Sequence, residues 1–134
     1  MMAKNKMRLQ IITPMKTILD EMVDSVILAT TEGQMGVLYD HEPVVALLGY
    51  EKLTYTQDEV KKQATTLGGF AEVTKDQVVI LTDASEFADE IDIERAKKAK
   101  ERAEKRLKDG NMDNIRAEVA LRKAIARISL KEGR

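Results

Sequence analysis

Few residues of this chain have the chemistry of a catalytic or metal site. Of its 134 residues none is cysteine and one, His41, is histidine. Metal sites built from thiolates and imidazoles, and thiol nucleophiles, are therefore excluded. The sequence also lacks the G-x-x-x-x-G-K-[ST] phosphate loop and the G-x-S-x-G nucleophile turn. We therefore expect a chain that is not itself an enzyme and that requires no metal or cofactor.

The remaining candidates are cations that recur at helical spacing near the end of the chain. Arg95 and Arg102 are seven residues apart, so they share one helix face, and Arg116, Lys123 and Arg127 follow. In an antiparallel helix pair some of them could converge on phosphate groups, which suit the fork of donors on arginine. The alternative is that they are solvated and paired with glutamate. Nucleic acid is a poor fit, because the chain is slightly acidic and no aromatics interleave these cations.

Charge is distributed unevenly along the chain. Residues 1–86 have a net charge of −5 and residues 87–134 a net charge of +4. The positive part either meets an acidic protein or polyanionic surface or is simply a solvated helical face. His41, between Asp40 and Glu42 in a predicted loop, is either a group that responds to pH or an ordinary surface histidine.

Residues 7–83 have the pattern of β structure. Seven short apolar or alternating runs are separated by turn signals, at residues 7–13, 23–31, 35–38, 44–48, 52–56, 70–74 and 77–82. No helical pattern lies between them, which argues against parallel β-α-β units. We expect an antiparallel sandwich or barrel, in which Gly68 and Gly69 serve a turn or close strand packing.

The period changes near residue 91, where a helical pattern begins. Apolar residues follow 3-4-4 and 4-3-4 spacings at Ala96, Ala99, Ala103, Leu107 and at Ala117, Leu121, Ala124, Ile128. Gly110 is predicted to end the first helix, Asp89 or Asp92 to cap it, and Asp113 or Asn114 to cap the second. An alanine seam buries little area, so we expect a weakly held hairpin that can move. The predicted domains are 1–86 and 87–134.

Membrane and secretion signals are missing from the sequence. No run of 18 apolar residues occurs, and residues 1–6 have no apolar segment of the signal-peptide kind. With no cysteine available for disulfides, we expect a soluble protein of a reducing compartment.

Four ordered segments resemble the epsilon subunit of bacterial F-type ATP synthase, over about residues 7–130. They are residues 31–38 with His41 and Pro43, residues 68–73, residues 78–83, and residues 91–96 with the helical tail. The resemblance implies an N-terminal antiparallel β-sandwich followed by a C-terminal antiparallel two-helix hairpin. This agrees with the periodicity.

The resemblance also implies a role and partners. The chain would be a non-catalytic subunit of the central stalk, or rotor, that binds the gamma subunit and the c-ring and couples ion translocation to ATP synthesis. Its mobile hairpin would restrain ATP hydrolysis by extending towards the alpha/beta catalytic head. It would lie at the cytoplasmic face of the bacterial cell membrane, peripheral and without direct insertion. Implied contacts are Glu32 and His41, at one end of the sandwich, for the c-ring, and Arg116, Arg122, Lys123 and Arg127 for inhibition.

Some members of the resembled family bind regulatory ATP in the folded hairpin. The matching motif here is Ile91, Asp92, Arg95 and Ala96, with Glu86 before it and Arg102, Lys123 and Arg127 after it. Lys123 stands where those members have arginine, and lysine neutralises phosphate without offering the fork of donors. The alternative for Asp92 is a plain helix cap. The alternative for the whole chain is a free-standing nucleotide-sensing adaptor, which would not co-purify with gamma and the c-ring.

Overall fold

The computed structural model describes residues 5–110 and 114–133. Within them the chain forms nine strands, a short 3-10 helix and two α-helices. The strands are β1 (Met7–Ile12), β2 (Thr17–Val23), β3 (Ser25–Thr30), β4 (Gly33–Val37), β5 (Val44–Leu47), β6 (Tyr50–Gln57), β7 (Val60–Leu67), β8 (Phe70–Val73) and β9 (Gln77–Leu81). The 3-10 helix is Ala88–Glu90, and the α-helices are α1 (Ile93–Lys108) and α2 (Asn114–Glu132).

The strands form two sheets that face each other. One has the order β2-β1-β9-β8-β5 and the other the order β4-β3-β6-β7. The predicted sandwich followed by a hairpin is therefore confirmed. All strand pairs are antiparallel except one, because β1 and β9 lie parallel in the first sheet. This parallel pair departs from the expected fully antiparallel arrangement, and it places the start and the end of the sandwich side by side.

The core between the sheets is mainly aliphatic. In β1 the residues Met7, Leu9 and Ile11 are fully buried, whereas the residues between them are more exposed. This period of two directs one face of each strand inwards, and a register slip would expose every core residue of that strand. Tyr55 is the one aromatic residue among the buried core side chains of the described residues.

Two strands, β2 and β7, are missing from the sequence prediction. In β2 only Val23 is buried, because this strand forms a sheet edge and its middle is Asp20, Glu21 and Met22. In β7 the first half is polar, and the buried second half contains Thr65 and Thr66. Neither strand shows the apolar alternation by which a half-buried strand is recognised.

Gly68 and Gly69 make the turn between β7 and β8, as predicted. Their φ angles are +78° and +95°. A Cβ on Gly69 would lie 1.9 Å from the carbonyl oxygen of Leu81. A larger residue at 69 is therefore excluded both by backbone conformation and by space.

The two helices meet along an alanine seam. Ala96 and Ala103 of α1 and Ala117 and Ala124 of α2 are buried. Gly110, at φ +67°, follows α1 in the left-handed conformation predicted for a helix end. Asp92 is the N-cap of α1, and Asp89 lies instead in the 3-10 helix. Asp113, one of two predicted caps for α2, lies outside the described residues.

The hairpin attaches to the sandwich through α2. Its residues Ala126 and Leu130 are buried, and α2 packs on β6 and β7, whereas α1 packs on α2. Alanine offers little apolar area, and burial contributes about 25 cal/mol per Å². Ala126 therefore contributes little to the attachment, and the buried Leu130 contributes more.

Candidate functional site

The segment that joins the sandwich to the hairpin is bonded to the free edge of β7. The amide of Thr65 donates to the Glu86 carbonyl oxygen at 2.9 Å, and the amide of Leu67 donates to the Ala84 carbonyl oxygen at 3.1 Å. The amide of Glu86 donates in turn to the Thr65 hydroxyl at 2.9 Å. These bonds attach the backbone of Glu86 to β7, so the position of its Cα is fixed relative to the sandwich.

Glu86 holds α2 through an ion pair. The Nε of Arg127 lies 2.6 Å from Oε1 of Glu86, and the side chains are 31% exposed for Arg127 and 29% exposed for Glu86. One turn further on, Lys131 donates from Nζ to the carbonyl oxygen of Ala88 at 3.0 Å. We call the Glu86–Arg127 pair the latch, because it joins the end of the sandwich to the second helix.

The motif at residues 91–96 builds the start of α1. Asp92 accepts the amide hydrogen of Arg95 on Oδ1 at 3.1 Å, which is an N-cap bond. Ile91 and Ala96 are each 4% exposed, so the start of the helix is packed against its neighbours. The structure thus gives Asp92 the capping role, and the residue is exposed.

The remaining candidate cations lie on the helices around this point. Lys97 Nζ is 3.5 Å from Glu132 Oε2, which fixes the relative height of the two antiparallel helices. Arg102 lies five residues after Lys97, and Arg127 lies five residues before Glu132. Because the helices are antiparallel, the two arginines lie at about the same height along the hairpin axis. Lys123 is one turn from Arg127, while Arg95 is about 10 Å along the axis from Arg102. Among the predicted ATP ligands, Glu86 and Arg127 are in contact, and Lys123 lies on the same helix as Arg127.

The four cations predicted to make inhibitory contacts do not share one face of α2. Arg116, Lys123 and Arg127 are spaced by seven and four residues and lie on one side. Arg122 points elsewhere, and its guanidinium is 3.4 Å from Glu118 of the same helix. In this folded form the Nε of Arg127 is bonded to Glu86, and opening of the latch makes that nitrogen available to another subunit.

Glu32 and His41 lie at opposite ends of the sandwich. Glu32 is in the β3–β4 turn beside Thr31, whose amide bonds to Leu47 at the end of β5. His41 follows the other end of β4, a strand about 14 Å long, beside Asp40, which bonds to Lys75. Since β4 separates them, the two residues do not share one end of the sandwich, and their contact with the c-ring stays a prediction.

The imidazole of His41 bonds to its own loop. Its Nδ1 donates to the carbonyl oxygen of Glu42 at 2.7 Å. A carbonyl only accepts, so this bond places a proton on Nδ1 and leaves Nε2 for the surroundings.

Metal clusters and spanning helices are missing from the described part of the chain. No group of three or more His, Cys, Asp or Glu side chains there is arranged to hold a metal ion. None of the helices there is both long and apolar enough to cross a bilayer.

Comparison with known proteins assigns the family. Residues 6–88 match the description "ATP synthase, Delta/Epsilon chain, beta-sandwich domain", and residues 89–132 match "ATP synthase, Delta/Epsilon chain, long alpha-helix domain". The chain belongs to the ATP synthase delta/epsilon chain family. It is a subunit of ATP synthase, and its association with the membrane is through that complex. The predicted boundary after residue 86 remains a prediction, and the two matched domains meet between residues 88 and 89.

Curated relatives cover almost the whole chain. The ATP synthase epsilon chain of Symbiobacterium thermophilum is 46% identical over 125 residues, which are 91% of this chain and 90% of the relative. That of Desulforamulus reducens is 44% identical over 133 residues, 98% of this chain and 100% of the relative. The predicted resemblance is therefore confirmed, and the alternative of a free-standing adaptor is set aside.

Solved structures share the fold. A chain of the Euglena gracilis mitochondrial ATP synthase, in an assembly of OSCP, F1 and c-ring, superposes with a TM-score of 0.82 at 31% identity. The match covers 90% of this chain and 78% of that one. A chain from the central stalk and c-ring of the Tetrahymena thermophila enzyme has a TM-score of 0.56 at 15% identity and covers 98% of each chain, which shows a common fold.

The latch was not found by sequence reasoning as a contact. Glu86 and Arg127 were each singled out as ligands of ATP, but nothing local indicates that they bind each other across 41 residues. The contact of Lys131 with Ala88 has no sequence signal at all, because a backbone carbonyl is available at every residue.

Proposed function

We propose that the chain is a non-catalytic subunit of the central stalk that couples ion translocation to ATP synthesis and restrains ATP hydrolysis through a mobile hairpin. The proposal extends to this chain the partners present in the neighbouring assemblies, which contain F1, the c-ring and the central stalk. Its expected partners are the gamma subunit, the c-ring and the alpha/beta catalytic head, and its expected location is the cytoplasmic face of the membrane.

The outer face of the five-stranded sheet supports docking to gamma. Leu47, Phe70, Leu81 and Ile12 are neighbours in successive strands, so they form one apolar row across β5, β8, β9 and β1. Leu47 is 65% exposed, Phe70 39% and Leu81 37%. A contiguous exposed apolar row is typical of a surface that is covered in a complex. Leu47→Asp should weaken assembly with gamma in a pull-down, whereas the exposed Val60→Asp, on the other sheet, should not.

The observation that most strongly supports a mobile hairpin is its thin attachment. On the sandwich side α2 buries Ala126 and Leu130, and the latch and Lys131 fasten it to the linker at residues 86–88. The cost of opening such an interface is small compared with that of unfolding the sandwich. Release would free Arg127 from Glu86 and let it act with Lys123 and the already exposed Arg116 on acidic surfaces of gamma and the catalytic head.

A regulatory ATP site in the folded hairpin is the second part of the proposal. Arg102 and Arg127 lie at one level of the hairpin and Lys123 lies one turn from Arg127, and cations at such spacing suit a triphosphate. A ligand that binds only the folded form would hold the hairpin down according to its differential affinity. Low ATP would then release the helices.

Calorimetry tests the nucleotide part. ATP at millimolar concentration should give heat of binding with the isolated chain, and Arg102→Gln should remove it. Lys108→Gln, exposed on the same helix and about 120° around it from Arg102, is the matched control. No heat at millimolar ATP would remove ATP from the proposal and leave the mobile hairpin untouched.

A further inference from the structure

A cleft separates α2 from the outer face of the four-stranded sheet. Its volume is about 690 Å³, within the roughly 300–1,000 Å³ of small-molecule sites. The sheet side contains Ile27, Thr54 and Gln63, which are neighbours across β3, β6 and β7. The helix side contains Arg122 and Ile125. The cleft thus exists only while the hairpin lies against the sandwich.

The cleft is distinct from the region of the predicted ATP ligands. On α2 its lining residues are Arg122, Ile125, Ala126 and Ser129. At 100° per residue these residues cluster on one side of the helix, whereas Lys123 and Arg127 lie about 120° away. None of the predicted ATP ligands lines the cleft.

The charge of the lining favours an anion. Lys52, Lys61 and Arg122 line the cleft together with one carboxylate, that of Glu51. The whole chain has a net charge of −1, so this local excess of positive charge is not a consequence of composition. Arg122 is paired loosely, at 3.4 Å, with an exposed Glu118 that does not line the cleft. Such a pair costs little to break in favour of a ligand.

The cleft also leaves apolar groups in contact with water. Ile27 is 39% exposed and Ile125 47% exposed, on facing sides. Between them Gln63 donates from Nε2 to the Thr54 hydroxyl at 3.1 Å, which forms an ordered polar floor. An apolar body would cover the two isoleucines, and an attached anionic group would meet Lys61 and Arg122.

We propose that this cleft is a binding site for a small organic anion with an apolar body. Because its two sides belong to the sandwich and to α2, an occupant binds the folded hairpin and not the released one. Occupancy therefore stabilises the folded hairpin by RT ln(1 + L/Kd), where L is the free ligand concentration and Kd the dissociation constant of the folded form.

The test uses 8-anilinonaphthalene-1-sulfonate, an organic anion with an apolar body, and the full chain. Fluorescence titration should give saturable binding to one site. Lys61→Gln/Arg122→Gln should weaken it about tenfold, from two charge contacts. The control Lys62→Gln/Lys98→Gln removes the same charge from exposed positions of β7 and α1 outside the cleft, and should change affinity less than twofold.

Methyl NMR of the same titration locates the dye. Shifts concentrated at Ile27 and Ile125 support the cleft, and they also exclude dye binding to a partly unfolded form, which would affect the whole core. Equal loss of affinity in both double variants, or shifts spread over the buried core, would overturn the proposal. Both variants change exposed side chains, so circular dichroism should show both to be folded.

Discussion

The latch between Glu86 and Arg127 allows a quantitative prediction. The 2.6 Å contact is charge-assisted, and such hydrogen bonds contribute about 1.5–3 kcal/mol. The two side chains are 31% and 29% exposed, so we reduce this for solvent to about 1–2 kcal/mol. Arg127→Gln should therefore raise the ratio of released to docked hairpin about 5- to 30-fold.

A double-mutant cycle isolates this interaction. The chain has no cysteine, so Lys75→Cys and Lys105→Cys place two fluorophores at exposed positions, one on the sandwich and one on α1. Energy transfer between them reports the docked fraction for Arg127→Gln, Glu86→Gln and the double variant. The coupling energy should be about 1–2 kcal/mol. Arg122→Gln is the control, because its partner Glu118 lies on the same helix.

Two results would contradict the role of the Glu86–Arg127 pair in holding the hairpin. If the two single variants add without coupling, the contact does not hold the hairpin. If Arg122→Gln releases the hairpin as strongly as Arg127→Gln, general charge on α2 rather than the latch determines docking.

Three further predictions concern the sandwich. Gly69→Ala should destabilise the sandwich by about 3 kcal/mol or more in chemical denaturation, because its Cβ would lie 1.9 Å from the Leu81 carbonyl oxygen at a φ of +95°. Gly36→Ala is the control: a Cβ there meets open space, so the unfolding free energy should change little. Glu59→Gly should stabilise the sandwich by about 1 kcal/mol, seen as a higher denaturation midpoint, because Asp58 and Glu59 hold φ angles of +51° and +68° in the β6–β7 turn. The Arg8 hydrogen bond lowers the pKa of Asp20, and the Lys6 hydrogen bond lowers the pKa of Asp58. Both ion pairs stabilise the fold above the ordinary carboxylate pKa, and this stabilisation is lost as the pH falls below about 4. The double variant Asp20→Asn/Asp58→Asn should therefore lose less free energy of unfolding over that range than the parent chain. An unchanged slope of the unfolding free energy against pH would contradict this.

Local signals account for what the sequence predicted correctly. The change from period two to a helical period marks the junction near residue 91, and the Asp92 cap depends on a residue three positions away. β2 and β7 were missed because an edge strand and a polar strand show no alternation. The parallel pairing of β1 with β9, about 70 residues apart, has no local signal either.

The sequence identified individual residues of the candidate site but not the contacts between them. Glu86 and Arg127 were identified, yet their pairing depends on how α2 crosses the edge of β7. Glu32 and His41 do not share the expected end of the sandwich, because the eight residues between them include the whole of β4. The cleft involves two domains, so no single segment of sequence contains its pattern.

The central claim is that release of the hairpin restrains ATP hydrolysis. Gln63→Cys and Ile125→Cys lie on facing sides of the cleft, and a reducible bis-maleimide linker that contains a disulfide would hold α2 against the sheet. The linked chain is then assembled into the ATP synthase complex, and hydrolysis is measured before and after reduction of the linker. We predict faster hydrolysis with the linker intact and a return to the restrained rate after reduction. An equal rate in both states would contradict the claim.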